Sequence, residues 1–285
     1  MHISGFDYDR VPVGGVTLNV AAGGDGPAVL LLHGFPQTHL MWRHVAADLA
    51  ADHRVVAPDL RGYGDSDKPD GDYSKRAMAA DVVGLMRELG HDRFALAGHD
   101  RGALVAFRAA LDHADAVTHL LSLDVVPTLD MWDLMRGTRA AIGFHLFLMA
   151  QPPGLAEQLI AASPDLFFGH FLDVWTKDPA AIPPEVRAAY LKASREAITS
   201  IVADYRASAT VDVEHDTVDL RAGNKLRMPV SVVQQDFGAV LPYDAPALWR
   251  AWAPDLEHTT VQTGHFMAEE APAEIASALR QLLRR

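Results

Sequence analysis

The sequence predicts an α/β fold: a mostly parallel central sheet with helices on both faces, interrupted by an inserted helical cap. Three observations carry this reading. Short, continuous apolar runs alternate with helical patterns through the first half of the chain, the alternation stops over residues 128–215, and strand-like runs return before a closing helix. Continuous apolar runs suit strands covered on both faces, and their alternation with helices marks parallel crossover units.

Taken in order, Val16–Ala21, the turn Gly23-Gly24-Asp25-Gly26 and Ala28 read as an antiparallel hairpin at one edge. Ala28–Leu32 (AVLLL), Arg54–Ala57 (RVVA) and Phe94–Ala97 (FALA) read as buried strands, with helical patterns at Met41–Ala51 and Lys75–Leu89 between them. Val117–Leu123 (VTHLLSL) is the last strand before the break. From Thr128 to His215 the pattern is helical, cut at Pro152-Pro153, Pro164 and Pro183-Pro184. Val230–Val233 and Thr259–Gln262 resume the strands, and Ala271–Leu283 reads as the C-terminal helix. The core is therefore expected to comprise residues 1–127 and 216–285, with residues 128–215 as the cap.

Composition narrows the function. The chain has 285 residues, 49% hydrophobic and 22% charged, enough apolar material for a sizeable core. Its net charge of −12 argues against a nucleic-acid partner, which needs clustered positive charge. It has no cysteine, so a disulfide scaffold, a thiol nucleophile and a Cys-ligated metal are excluded. The N-terminal MHISGFDYDRVPVGG lacks a basic stretch followed by an apolar one, and no run approaches the roughly 18 apolar residues of a membrane span. A cytoplasmic protein acting on a small molecule is the expectation, with neither nucleic acid nor membrane as partner.

The chemistry centres on Phe94–Asp100 (FALAGHD), after which Arg101-Gly102-Ala103 opens a helix. Glycines flanking a residue between a strand and a helix suit a nucleophile elbow, a sharp turn that lifts the central side chain above the carboxyl edge of the sheet. That residue is Asp100; read alone, it is equally a helix N-cap. His33-Gly34-Phe35-Pro36 follows the strand Ala28–Leu32, where such folds place one oxyanion donor, here the N–H of Phe35, the second being the N–H of Arg101. Gly264-His265-Phe266 lies past the last strand, where a loop histidine reaches the elbow. His265 is thus the candidate base, last in the order nucleophile, acid, histidine. Asp124 and Asp236 both stand beyond strand ends as candidates for the acid that orients it, and spacing does not separate them.

The whole chain resembles the α/β-hydrolase superfamily, and within it the aspartate-nucleophile branch of haloacetate dehalogenases and epoxide hydrolases. The residues carrying the resemblance are HGFPQ (33–37), RGYGDS (61–66), GHDRGA (98–103), SLDVVPT (122–128), DYRA (204–207) and GHF (264–266). GHDRG resembles the fluoroacetate dehalogenases most; haloalkane dehalogenases usually carry a Trp where Arg101 stands. The resemblance implies Asp124 as the acid, no metal or organic cofactor, a homodimer, and a leaving atom cradled by His145 and Tyr205. Two positions depart from it. The second arginine of the dehalogenases' carboxylate clamp is Leu104 here, and their halide-contacting Trp is Leu146.

A carboxylate nucleophile suits an sp³ carbon, because attack there gives a stable alkyl ester that water later cleaves at the carboxyl carbon. The expected reaction is hydrolytic dehalogenation of a small 2-halocarboxylate. Epoxide opening with His145 and Tyr205 as donors is the alternative, and a catalytically silent binding protein of the same fold a third. Arg101 has its own alternative as a structural ion pair, with Arg108 and Arg206 as replacement charges.

Overall fold

The computed structural model describes residues 1–236 and 243–285. Its described strands are β1 (Asp7–Val13), β2 (Val16–Gly23), β3 (Ala28–Leu32), β4 (Arg54–Pro58), β5 (Phe94–His99), β6 (Val117–Leu123), β7 (Val230–Gln235) and β8 (Leu256–Val261). They form one sheet in the order β1-β2-β4-β3-β5-β6-β7-β8. β2 is antiparallel to β1 and β4, and every other neighbouring pair is parallel. Val29–Leu32 of β3 and Leu96 and Ala97 of β5 have no exposed surface, which is why these central strands are continuously apolar.

The edge differs from the expectation. β2 does not pair with Ala28: its antiparallel partners are β1, joined through the Gly14-Gly15 turn, and β4, which lies between it and β3. The run AVLLL needs a strand on each side, and β4 and β5 provide them. β1 (DYDRVPV) escapes the apolar pattern because an outermost strand is largely exposed, and its proline and charges suit an edge.

α1 (Arg43–Leu49), α2 (Lys75–Glu88) and α3 (Arg101–Asp112) follow β3, β4 and β5. Between β6 and β7 come α4 (Thr128–Leu134), α5 (Phe144–Met149), α6 (Leu155–Ala162), α7 (Pro164–Val174), α8 (Pro184–Arg195), α9 (Ile198–Ser208) and α10 (Val211–Ala222). α10 runs through position 216, so the expected return to the core falls within a helix. α11 (Ala245–Arg250), α12 (Met267–Glu270) and α13 (Pro272–Leu282) complete the chain. α2 packs against α3 and α1 against α13, two helix pairs covering the sheet. Among the described residues no helix is long and apolar enough to cross a membrane.

Buried polar ties hold the α4–α10 segment over the carboxyl edge of the sheet. Ser194 Oγ donates to the Pro36 carbonyl at 3.0 Å, Ser200 Oγ to the Gly62 carbonyl at 2.6 Å, and Tyr63 Oη to Asp204 at 2.6 Å. Tyr63 and Ser66, whose Oγ donates to the Asp59 carbonyl, make RGYGDS a packing loop.

Candidate active site

β5 hands directly into α3, and the turn between them is crowded. A Cβ on Gly102 would stand 2.3 Å from the His33 carbonyl oxygen, and one on Gly34 would stand 2.5 Å from Asp100 Cβ. Only glycine lets β3, the elbow and α3 approach this closely. Asp100 itself has φ 48° and ψ −118°, a conformation that costs a non-glycine residue about 1–3 kcal/mol and clusters at functional sites. Its side chain makes no N-cap bond to α3. Instead Oδ1 accepts from the Phe35 N–H at 2.8 Å. Arg101 is the first residue of α3, so its N–H has no carbonyl one turn earlier and points from the helix start.

His265 reaches the other carboxylate oxygen. Its Nε2 lies 3.8 Å from Asp100 Oδ2 and has no hydrogen-bond partner among the described residues, although it is buried. Its Nδ1 lies 2.7 Å from Asp124 Oδ2. Asp124, with φ 58° beyond β6, is pinned in turn by the Gln235 N–H at 3.1 Å and Gln235 Nε2 at 2.6 Å. Asp236, the other candidate, is exposed and accepts from Gln262 at 3.3 Å. Burial alone would lower the His265 pKa; the hydrogen bond and charge of Asp124, with the charge of Asp100, outweigh it and raise the pKa above its ordinary value. His99, within the elbow, holds the histidine loop: its Nε2 donates to the His265 carbonyl at 2.8 Å, and burial lowers its own pKa to about 3, so it stays neutral.

Arg101 is tied down from α9. Nε and Nη2 donate to the two carboxylate oxygens of Asp204 at 2.9 and 2.7 Å, and the guanidinium lies 4.1 Å from the Tyr205 ring centroid. Asp204 also receives buried Lys75 from α2. Burial would raise the Asp204 pKa, but the charges of Arg101 and Lys75 overcome it and hold the carboxyl well below the usual range. The ion-pair alternative for Arg101 is therefore what the structure shows, while Nη1 makes no hydrogen bond among the described residues. Asp204→Asn leaves two buried cations short of their counter-charge. It is expected to cost about 3–5 kcal/mol, seen as a lower midpoint in urea or thermal unfolding; an unchanged midpoint would show the network to be energetically idle.

Asp100, Arg101, Asp124 and His265 line one cavity of about 130 Å³ with Leu104, His145, Leu146, Trp175 and Tyr205. His145 Nδ1 and Tyr205 Oη are buried with no partner among the described residues. That is costly for a group whose role is only packing. Burial lowers the His145 pKa to about 3, so its ring is neutral. Burial, reinforced by the charge of Asp100, holds the Tyr205 phenol well above its ordinary pKa and keeps it a proton donor. The Trp175 ring centroid is 5.1 Å from that of His145 and 4.9 Å from that of His265, and its carbonyl accepts from the His265 N–H at 2.8 Å.

The chain as a whole is similar to known proteins. The family model of the alpha/beta hydrolase fold matches residues 27–272. The chain belongs to the α/β-hydrolase family. It is 40% identical to a fluoroacetate dehalogenase of Burkholderia sp, over 98% of this chain and 94% of that protein. It is 33% identical to a soluble epoxide hydrolase of a Corynebacterium species, over 93% of each. Among solved structures, a mutant of a Pseudomonas aeruginosa protein provisionally described as an epoxide hydrolase, with bound MFA, matches with a TM-score of 0.95 and 40% identity, over 100% of this chain and 97% of that one. This α/β-hydrolase is thus an enzyme of the dehalogenase and epoxide hydrolase branch, which sets aside the silent binding protein.

Not every residue singled out in the sequence of this α/β-hydrolase comes to the cavity. Arg108 pairs with Asp219 at 2.7 Å and Arg206 with Glu157 at 2.8 Å, so both charges are spent elsewhere. Three residues of the site escape sequence reasoning: Asp204, Trp175 and His99. Asp204 stands beside Tyr205 in DYRA and His99 beside Asp100 in GHD, so the motifs contain both; Trp175 has no local signal.

Proposed function

We propose that the protein hydrolyses small halocarboxylates through an ester formed on Asp100. The observation that carries this is the disposition of the two Asp100 oxygens: Oδ1 on the Phe35 N–H at 2.8 Å, and Oδ2 facing His265 Nε2 at 3.8 Å. One oxygen is held as an acyl oxygen would be, and the other is free to attack.

In the first step Oδ2 attacks the halogen-bearing carbon, the carbon–halogen bond breaks, and the halide departs toward His145 and Tyr205. In the second, His265 Nε2 takes a proton from water as the hydroxide attacks the ester at the carboxyl carbon of Asp100. The N–H groups of Phe35 and Arg101 hold the oxyanion at Oδ1, and Asp124 orients the imidazole and stabilises its charged form. Collapse expels the alkoxide, which recovers the proton from His265. The products are a hydroxy acid, halide and a proton, and one water oxygen remains in Asp100. The dehalogenase relative, 40% identical, supports the halide reading. The unpartnered His145 and Tyr205 donors, with Leu104 and Leu146 where the dehalogenases carry polar contacts, favour epoxide opening as a second reading.

A single turnover in heavy-oxygen water, followed by peptide mass spectrometry, is expected to leave the isotope in Asp100. Halide and diol release across a panel of 2-halocarboxylates and epoxides then ranks the two substrates. No isotope in Asp100 with a substrate that turns over would overturn the covalent scheme.

A further inference from the structure

Arg139 stands in the single turn Gly137–Ala141 between α4 and α5, on the cap side of the catalytic cavity. It is half-buried, and among the described residues its guanidinium makes no hydrogen bond or ion pair. Its neighbours behave differently: Arg136 pairs with Asp133, and Arg101 is neutralised by Asp204. Arg139 is therefore the one uncompensated cation among the described residues lining the cavity. The wall around it is apolar, formed by Leu134, Met135, Ile142 and Leu146. A guanidinium beside such a wall has no acceptor among the described residues and can take one from a molecule in the cavity. A carboxylate matches its planar, forked donors.

We propose that Arg139 binds the carboxylate of the substrate, so that the enzyme takes small monocarboxylates whose halogen-bearing carbon meets Asp100 and whose apolar substituent lies against the apolar wall. The cavity of about 130 Å³ limits that substituent; a cavity of about 150 Å³ holds a benzene ring. Arg139 comes to the cavity from the turn between α4 and α5 and Asp100 from the strand–helix turn, so two different elements would hold the two ends of the substrate. Leu104, on the helix that follows Asp100, adds a buried apolar side chain to the cavity lining. This assignment rests on the cavity being the substrate site.

Calorimetric titration of the full chain with butyrate and with butyramide tests it without any turnover. The wild type is expected to bind butyrate about 10- to 100-fold more tightly than the amide, the range of a charge-assisted hydrogen bond. Arg139→Gln abolishes the preference, and Arg139→Lys keeps part of it. The residue anchors nothing in the fold, so an unchanged unfolding midpoint accompanies both variants. If Arg139→Gln binds butyrate as the wild type does, or the wild type shows no preference for the acid, Arg139 is not the anion site. Because binding is read directly, failure of isotope transfer to Asp100 would overturn the covalent chemistry and leave this result standing.

Discussion

His265→Gln is expected to stop the enzyme half-way, with the substrate esterified to Asp100. The first step needs only the carboxylate, the electrophile and donors for the leaving group, none of which is His265. The second needs a base within one water of the ester, and Nε2, 3.8 Å from Asp100 Oδ2, is placed to activate that water. Loss of a general base slows its step by about 100- to 10,000-fold, enough for the adduct to accumulate and show as a mass increase on intact protein. The pH dependence should follow. Hydrolysis of the ester in the wild type should increase with pH as His265 loses its proton; the raised pKa is that of the enzyme before esterification. The sign follows from the base being the neutral imidazole, which acid depletes. Esterification removes the Asp100 charge, one of the groups raising that pKa, so the histidine becomes easier to deprotonate when it must act as base. The glutamine variant should lose this profile. Absence of the adduct, with a substrate the wild type consumes, would count against His265 as base.

How much of this was legible beforehand depends on the range of the interactions. Strands β3 and β5 carry continuous apolar runs because both faces are covered, β6 is a mixed run, and their ends locate Phe35, Asp100 and Asp124 from local pattern. Choosing between Asp124 and Asp236 is beyond such pattern, since each follows the end of one of two adjacent strands. The geometry that distinguishes them is a backbone turn at φ 58° and two donors from Gln235, neither written in residue type. Asp204 is harder still. Nothing local to α9 (ITSIVADYRAS) marks its role, which emerges only when partners 103 and 129 positions away meet it. β1 was illegible for the opposite reason: as an outermost strand with one neighbour, it needs no apolar alternation strong enough to notice.

Asp100→Gly is expected to lower kcat/KM by about 10,000- to 1,000,000-fold, the loss typical of removing a nucleophile that acts as a unit with its base, while leaving the fold as stable as before. The argument for stability is conformational. Asp100 occupies φ 48°, ψ −118° because β5, α3 and the Gly34 backbone leave it no alternative, and glycine adopts that conformation without steric penalty. The relief of about 1–3 kcal/mol is set against about 1.5–3 kcal/mol for the lost Phe35 hydrogen bond to the carboxylate and about 0.5–1 kcal/mol for the freer unfolded chain. The terms nearly cancel, so the unfolding midpoint should move by only a few degrees in either direction. Losing activity without losing stability separates a residue held for chemistry from one held for packing. A side chain needed as a helix cap would show the reverse: α3 and the unfolding midpoint would suffer and turnover would survive in proportion to the folded fraction. Residual turnover within tenfold of wild type would show that the attacking oxygen belongs to another residue of the cavity.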